Sequence, residues 1–557
     1  MPSFNLVNTE WLPCLLLSSA LDRNSGMAVD SMATTQQFSL KQVLLHASQI
    51  RELIGESPPV TIALHRLLLA VLHRCLNGPR DSNEWAHMWR SQTWDIERLT
   101  AYLTRWSERF DLFHEQFPFY QTASLDVGRG GTVAQLYFKE SATLFDHALD
   151  DDPPPLAPAA VARFLITFQS FDVGGIKTAE RDKDFAKASP LVQSAVGLVR
   201  GQNLFETLML NLHRYNAEDG DPFKFDPDTD LPAWERDEVT KPVNRYPDGY
   251  VDLLTWQSRR IRLQPELDAN GQIVVKRAVM MKGYQFPDGF ERYDKELMVP
   301  FRKRLRAKEK ESPWFAVGFD ENKALWRDSL ALFQSVAEKQ SRPRMLNWLH
   351  DLAIERVISR ATILPIDFFG FAVDQAKPLF WRHERLLLPL AYLDNPELLT
   401  TLGEALTVAE AVAEALRDSL KALARLLLSP QADEPNGRKP NERKDVTPLA
   451  DSFQSLSQYW SQLESPFKHL MLALPQENQA TDSSTYIYDE KALYEWANTL
   501  DKAAKESFQQ AVNSLSGSAR DLKASAKAER HFNQQMGKIR KEHAYLFPSE
   551  TIAGGEA

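Results

Sequence analysis

The chain has 557 residues, of which 43% are hydrophobic and 25% charged, and its formal net charge at pH 7 is −10. This length suits about two to four domains. The acidic balance gives no general sign of nucleic-acid binding, so any such role must rest on a local basic patch. The two cysteines, Cys14 and Cys75, exclude a disulfide framework or a cysteine-rich zinc site and predict a reducing, cytoplasmic location.

The N-terminus predicts a short strand in "FNLVNTEWLP" (4–13), which Pro13 would end. The apolar run at 12–17 is too short for the core of a signal peptide, and no basic residue precedes Arg23. No apolar stretch in the chain reaches about 18 residues, so we expect no membrane span.

Helical periodicity follows in three segments, 39–77, 94–115 and 159–170. The third segment breaks at Gly174 and Gly175. Two interpretations are open for this pair: a helix C-cap, or a tight loop whose bare backbone can approach a ligand closely.

Residues 217–240 are strongly acidic, and "DPDTD" (226–230) resembles the start of a calcium loop. Its sixth position, however, is Leu231 instead of glycine, and its twelfth is Asp237 instead of glutamate. We therefore expect a solvated acidic loop here.

Residues 256–310 have the opposite charge, with 14 Lys and Arg against 7 Asp and Glu. The segment predicts a β-hairpin that turns at "DANGQ" (268–272). The segment itself ends in the basic run 302–310. Lys282 lies next to Gly283 at an expected strand end. It is either a solvated lysine or a specific nucleic-acid contact.

A second hairpin is predicted within 365–389, where two apolar, aromatic segments flank the polar bend 374–378. The two strands would cover residues 366–373 and 379–381. Gln375 and Lys377 lie on the bend, and loops at strand ends often carry functional side chains.

The C-terminal part predicts long helices. Leucine and alanine residues alternate at spacings of four and three over 402–427, which is typical of a helix packed in a bundle. Further helices are expected at 448–473, 489–515 and 519–543. We therefore predict an α+β protein: a large mixed domain with irregular loops and β-hairpins, followed by an antiparallel four-helix bundle. The expected boundaries are 1–385 for the mixed domain, 386–546 for the bundle and 547–557 for a disordered tail.

The sequence contains no strong enzyme motif, neither a metalloprotease helix, a nucleophile elbow, a phosphate-binding loop nor a dinucleotide fingerprint. We therefore predict no catalytic residues, no metal ligands and no cofactor. Binding is the function that remains.

Several motifs, taken in order, resemble the large subunit of the type I-E CRISPR Cascade surveillance complex, the CasA family. They are "NLVNTEWLP" (5–13), "HEQFPFYQT" (114–122), the segment 171–212 that begins "FDVGGIKTAERDKDF", "DQAKPLFWRHE" (374–384) and "AERHF" (528–532). The similarity is spread over nearly the whole chain, and the terminal helices suit it.

The resemblance implies a non-catalytic subunit that recognises the protospacer-adjacent motif of double-stranded DNA through the minor groove and starts unwinding. The guide RNA would then pair with the target strand, and a nuclease–helicase would be recruited. The family's glycine loop maps to Gly174 and Gly175, its lysine finger to Lys282 and its glutamine wedge to Gln375, with Lys377 as a secondary phosphate contact. A loop that contacts the guide RNA or neighbouring subunits maps to Phe145 and His147.

Some assignments stay open. Lys276 or Arg277 could serve as the finger in place of Lys282, and the acidic stretch after Phe145 favours a protein contact over a DNA contact. The competing hypothesis for the whole chain is a helical scaffold that binds protein partners and no nucleic acid. A hydrolase that uses scattered carboxylates is a third hypothesis.

Overall fold

The computed structural model describes residues 2–17, 35–136, 155–176, 185–216, 223, 226–303, 313–334, 340–374, 377–432, 437, 439–477 and 486–547. The chain divides into two compact units, Met1–Leu386 and Leu387–Ala557. The first unit mixes helices with small sheets, and the second is mainly helical. The predicted α+β class is therefore confirmed.

The helices of the first unit are mostly short. Their bounds are α1 Leu40–Leu45, α2 Pro58–Leu76, α3 Ser82–Ser91, α4 Ile96–Arg105, α5 Pro158–Phe171, α6 Leu204–Asn211, α7 Tyr250–Leu254, α8 Ser329–Phe333 and α9 Arg344–Ile354.

The strands before the basic segment are β1 Leu12–Leu16, β2 Thr35–Phe38, β3 Ile50–Leu53, β4 Gly131–Thr132, β5 Gly175–Ile176, β6 Phe185–Ala186, β7 Val196–Val199 and β8 Val243–Asn244. Those that follow are β9 Arg259–Leu267, β10 Ile273–Lys282, β11 Tyr284–Gln285, β12 Phe301–Lys303, β13 Trp314–Ala316, β14 Gln340–Ser341, β15 Ile363–Asp374 and β16 Lys377–Pro389. They form small sheets, of which β4-β10-β9, β16-β15-β7 and the pair β5-β6 concern the candidate site.

Helix α2 is the core element of the first unit. Pro58 and Pro59 open it, where a missing N–H costs nothing, and Asn77 ends it in the left-handed conformation. Among the described residues, it is the one helix long and apolar enough to cross a membrane, but 89% of its apolar window is buried inside the protein. That burial is typical of a core helix.

The two predicted hairpins are present. Strand β9 pairs with β10 in antiparallel register. In the turn between them, Asp268 N donates a hydrogen bond to Gln272 O at 2.9 Å. Gly271 takes φ +76° in that turn, a conformation that favours glycine. The second hairpin, β15–β16, is longer than predicted because both strands extend beyond their aromatic segments.

Several local predictions are wrong, and one of them is the helix over 94–115, because α4 ends at Arg105. The N-terminal strand starts at Leu12 and runs through Pro13, whereas the residues before it form a turn. The helical segment 39–77 is interrupted by β3, whose residues pair with β1. The acidic loop is not fully solvated: Asp230 is 1% exposed and accepts hydrogen bonds from Tyr215 Oη at 2.6 Å and Asp252 N at 2.8 Å.

The second unit contains α10 Ala391–Asp394, α11 Pro396–Leu428, α12 Thr447–Ser452, α13 Ser455–Ala473, α14 Glu490–Asn513 and α15 Ala519–Glu542, with strands β17 Pro475–Glu477 and β18 Tyr486–Tyr488. Helix α11 packs against α13, α14 and α15, and α13 packs against α14. Trp496 anchors this core by donating its indole N–H to Ala405 O at 3.0 Å. The helical character is confirmed, and the antiparallel four-helix arrangement stays a prediction.

Candidate nucleic-acid interface

The two glycines follow the C-terminal end of α5. The helix is capped by Asp172 in an extended conformation, so the C-cap interpretation of the glycine pair is wrong. Gly175 begins β5 with φ +150°, and, its two chain neighbours aside, no atom of the described residues lies within 4 Å of the place where a Cβ would stand. Gly174 is different, because a Cβ there would lie 2.9 Å from Ala186 O on the opposite strand. Gly174 thus allows the β5–β6 hairpin to close, and Gly175 presents open backbone.

Lys282 is the last residue of β10 and pairs with Arg259, the first residue of β9. Its backbone oxygen accepts a hydrogen bond from Arg260 Nε at 2.7 Å. The next residue, Gly283, must be glycine because a Cβ would lie 2.6 Å from Gln257 O. These contacts fix the backbone of Lys282 at the strand end.

A buried ion pair connects the glycine hairpin to the strand pair that carries Lys282. Arg259 Nε lies 2.5 Å from Asp172 Oδ2, and their side chains are 0% and 4% exposed. Arg259 Nη2 also donates to Lys187 O at 2.7 Å, just beyond β6. A single guanidinium therefore holds the start and the end of the β5–β6 segment beside Lys282. Removing one partner of such a buried pair costs about 3–5 kcal/mol.

The last turn of α5 reinforces this connection. Gln169 accepts from Arg259 N at 2.8 Å and donates to Arg259 O at 3.0 Å. Ser258 Oγ donates to Gln169 O at 2.7 Å and lies 2.8 Å from Ser189 Oγ. All of these groups are buried, where a satisfied polar network fixes geometry.

The β15–β16 hairpin approaches the same end of α5. The Phe171 ring lies 5.8 Å from the Phe371 ring, centroid to centroid. Asp374, the last residue of β15, follows three residues later, about 10 Å along the strand. Gln375 lies outside the described residues, as does the side chain of Lys377, whose backbone begins β16. The end of α5 thus precedes the glycine loop, contacts Arg259, the strand partner of Lys282, and packs against the β15–β16 hairpin.

An ionic cluster stiffens the base of this hairpin. Asp367 is 1% exposed and binds Arg385 through two hydrogen bonds of 2.6 and 2.8 Å, and Arg200 Nε lies 3.4 Å away. His383 lies 3.3 Å from the same carboxylate and stacks on Phe369 at 4.7 Å. Burial alone would raise the pKa of Asp367. The hydrogen bonds from Arg385 and His383 and the charge of Arg200 outweigh burial and lower this pKa to about 2. Several ionic contacts therefore hold β15 and β16 in place at Asp367.

The other candidates lie elsewhere. Lys276 and Arg277 are six and five residues before Lys282 on β10, about 20 and 17 Å along the strand, and Lys276 pairs with Glu266 at 3.1 Å. Phe145 and His147 lie outside the described residues. Within the described ranges, no cluster of three or more His, Cys, Asp or Glu side chains could hold a metal ion.

Sequence reasoning missed the two residues that join the site, Asp172 and Arg259. It counted Arg259 only as part of the basic segment. The available signal was an arginine pair, Arg259 and Arg260, at the start of a strand whose next residues are apolar. Such arginines are buried with the strand and need a carboxylate or carbonyl partner.

A family model described as CRISPR-associated protein Cse1 matches residues 5–507. The chain belongs to this family. The resemblance drawn from the sequence motifs is therefore confirmed.

Relatives of this Cse1-family chain match over nearly their full length. The CRISPR-associated protein CasA/Cse1 of Thermus thermophilus is 29% identical over 549 residues, which cover 97% of this chain and 99% of that protein. The crystal structure of Cse1 from Acidimicrobium ferrooxidans superposes with a TM-score of 0.77 at 26% identity and covers 97% of this chain and 99% of that one. A chain of a structure described as a CRISPR RNA-guided surveillance complex superposes with a TM-score of 0.72 at 20% identity, over 96% of this chain and 100% of that one. At that identity the likeness shows the fold alone.

Proposed function

We propose that this chain is the non-catalytic large subunit of an RNA-guided surveillance complex and recognises the protospacer-adjacent motif of double-stranded DNA. Family membership and the fold shared with a chain of such a complex support the coarse assignment. The observation that carries the finer one is the open backbone of Gly175, tied to Lys282 through Asp172 and Arg259.

The minor groove suits this arrangement. It is about 6 Å wide, so bare glycine backbone enters where a side chain would clash, and its donor and acceptor pattern is degenerate. A degenerate pattern gives permissive motif recognition. Lys282 would supply a cation at the same groove, where base-edge acceptors and phosphates both attract it.

Opening the duplex would fall to Gln375, which follows Asp374, the last residue of β15, in the sequence. Unstacking costs a few kcal/mol per step and is commonly met by an inserted side chain. A neutral, flat amide enters the stack at less desolvation cost than a charged group. The ionic contacts of Asp367 would hold β15 and β16 in place, so that binding of the motif is coupled to the entry of Gln375 into the duplex.

The remaining partners follow from the same assignment. The guide RNA and the other Cascade subunits would contact the loop of Phe145 and His147, and a nuclease–helicase would be recruited in trans after unwinding. The complex would act in the cytoplasm, where invading DNA and guide RNA meet.

The test uses the complex assembled with guide RNA. Gln375→Ala should slow R-loop formation on a linear duplex far more than on a target already unpaired next to the motif, because only the first substrate needs a wedge. Equal loss on both substrates would remove Gln375 from that role. If the complex assembles but shows no motif preference and no dependence of DNA affinity on salt, the scaffold hypothesis is the better one.

A further inference from the structure

Phe185 exposes an aromatic ring at the candidate interface. Its side chain is 62% exposed, and in the described part of the chain the other exposed phenylalanine is Phe117, at 40%. A single exposed apolar residue is ordinary on a protein surface. The location of Phe185 is what distinguishes it.

The ring of Phe185 lies over the glycine loop. Phe185 pairs with Ile176 in the β5–β6 hairpin, and its Cε1 lies 3.4 Å from the place where a Cβ on Gly174 would stand. The ring therefore rests against bare glycine backbone, one residue from the open backbone of Gly175.

Phe185 is also fixed relative to Lys282. The residue after its strand, Lys187, accepts a hydrogen bond from Arg259 through its backbone oxygen, and Arg259 is the strand partner of Lys282. Lys187 N donates to Gln285 Oε1 at 2.9 Å, which ties the same segment to the chain just after Lys282. The hairpin that presents Phe185 is thus attached at its end to the strands that present the lysine.

Proteins that bind the minor groove frequently insert an apolar wedge between base steps, and phenylalanine is one of the side chains they use. Two acidic side chains of this region are paired with cations, Asp172 with Arg259 and Asp288 with Lys187, which lowers their repulsion of DNA phosphates.

We infer that Phe185 packs into the minor groove of the motif and partly unstacks one of its base steps. This inference rests on the proposed function. It adds a residue that acts within the motif duplex, before the strands separate at the hairpin tip.

The experiment measures two quantities on the assembled complex: affinity for a motif-bearing duplex, and fluorescence of 2-aminopurine placed at each motif step. Phe185→Ala should lower motif affinity about tenfold, the size of one lost aromatic–base contact, and abolish the fluorescence rise at one step. Phe185→Trp should retain both signals. Phe117→Ala, which removes the other exposed phenylalanine of the described residues, one that packs on Arg109 and His114, serves as the matched control and should change neither signal.

The outcomes separate this inference from the proposed function. If Gly175→Asp and Lys282→Ala weaken motif binding but Phe185→Ala does not, Phe185 is not a wedge and the proposed function stands. If none of the three variants weakens binding, the proposed function fails together with the inference. If Phe185→Ala prevents subunit assembly and leaves thermal stability unchanged, the ring contacts a protein partner and the inference is overturned.

Discussion

Asp172→Ala tests the connection between the glycine loop and the lysine strand. The substitution leaves the Arg259 guanidinium buried, at 0% exposure, without its carboxylate partner. A broken buried pair costs about 3–5 kcal/mol. The unfolding entropy is about 2.1 cal/mol/K per residue, so over residues 1–386 of the first unit a loss of 4 kcal/mol lowers its Tm by about 5 °C.

The same variant should lose motif binding, because Arg259 holds the glycine hairpin beside Lys282. Lost stability alone must be separated from lost geometry. Glu296→Ala provides the control: it breaks another buried pair of the same unit, Arg66–Glu296 at 2.6 Å, and leaves the hairpin contacts intact. It should lower Tm by a similar amount without lowering motif affinity at temperatures where the chain stays folded.

The double variant Asp172→Leu/Arg259→Met completes the comparison. Replacing both charges with apolar groups restores most of the stability, since such replacements of buried pairs are often neutral. Motif affinity should stay low, because the bond from Arg259 to Lys187 O is also gone. The measurements are thermal unfolding of the purified chain and competition binding of the assembled complex. An unchanged Tm for Asp172→Ala, or full motif affinity in the double variant, would refute the reasoning.

Three further predictions rest on single features. Gly175→Asp should abolish motif binding. The control is Gly271→Asp, which changes another positive-φ glycine with open space around it, before the start of β10, and should leave motif binding intact. An equal loss of binding in both variants would remove Gly175 from the interface. Asp367 has a pKa lowered to about 2, so its contribution to stability is complete above its unfolded pKa and is lost as pH falls toward the folded value. In urea unfolding, the stability difference between wild type and Asp367→Asn should therefore stay constant from about pH 8 to 5 and narrow below about pH 4; a difference that narrows above about pH 5 would contradict the assignment. Burial raises the pKa of Cys14 and Cys75 to about 12, so a thiol reagent at about pH 8 should label both only after denaturation, and rapid labelling of the native chain would show that they are accessible.

The sequence predicted best those elements that local pattern specifies. The seam at 402–427 lies inside α11, and the helices predicted at 489–515 and 519–543 match α14 and α15 within two residues, because each carries one continuous apolar face. The β9–β10 hairpin was predictable because Gly271 lies in a turn that only a few residues tolerate.

Features that depend on distant partners were not predictable. The residues of β3 lie within an apolar pattern that suits a helix, and they form a strand because they pair with β1. In the sequence, Asp230 is one of many acidic residues. Its hydrogen bonds come from Tyr215 and from Val251 at the start of α7, which lie apart from it in the chain. The role of Arg259 likewise depends on a carboxylate 87 residues earlier in the chain.

The candidate site was predicted only through resemblance. Composition and spacing left two interpretations open for the glycine pair and two for Lys282, and the resemblance to the family gave them a common ligand. The fold adds the physical link between them, because Asp172, the C-cap of α5 two residues before Gly174, binds Arg259, the strand partner of Lys282.

Site-specific photo-cross-linking tests the central claim most directly. A photoreactive amino acid in place of Lys282 in the assembled complex should form adducts with the motif base pairs of a bound duplex, and these adducts should disappear when the motif is changed. The same probe at Lys276, about 20 Å away along β10, should form no motif-dependent adduct. Adducts at Lys282 that are absent, or that persist on a duplex without the motif, would contradict the account.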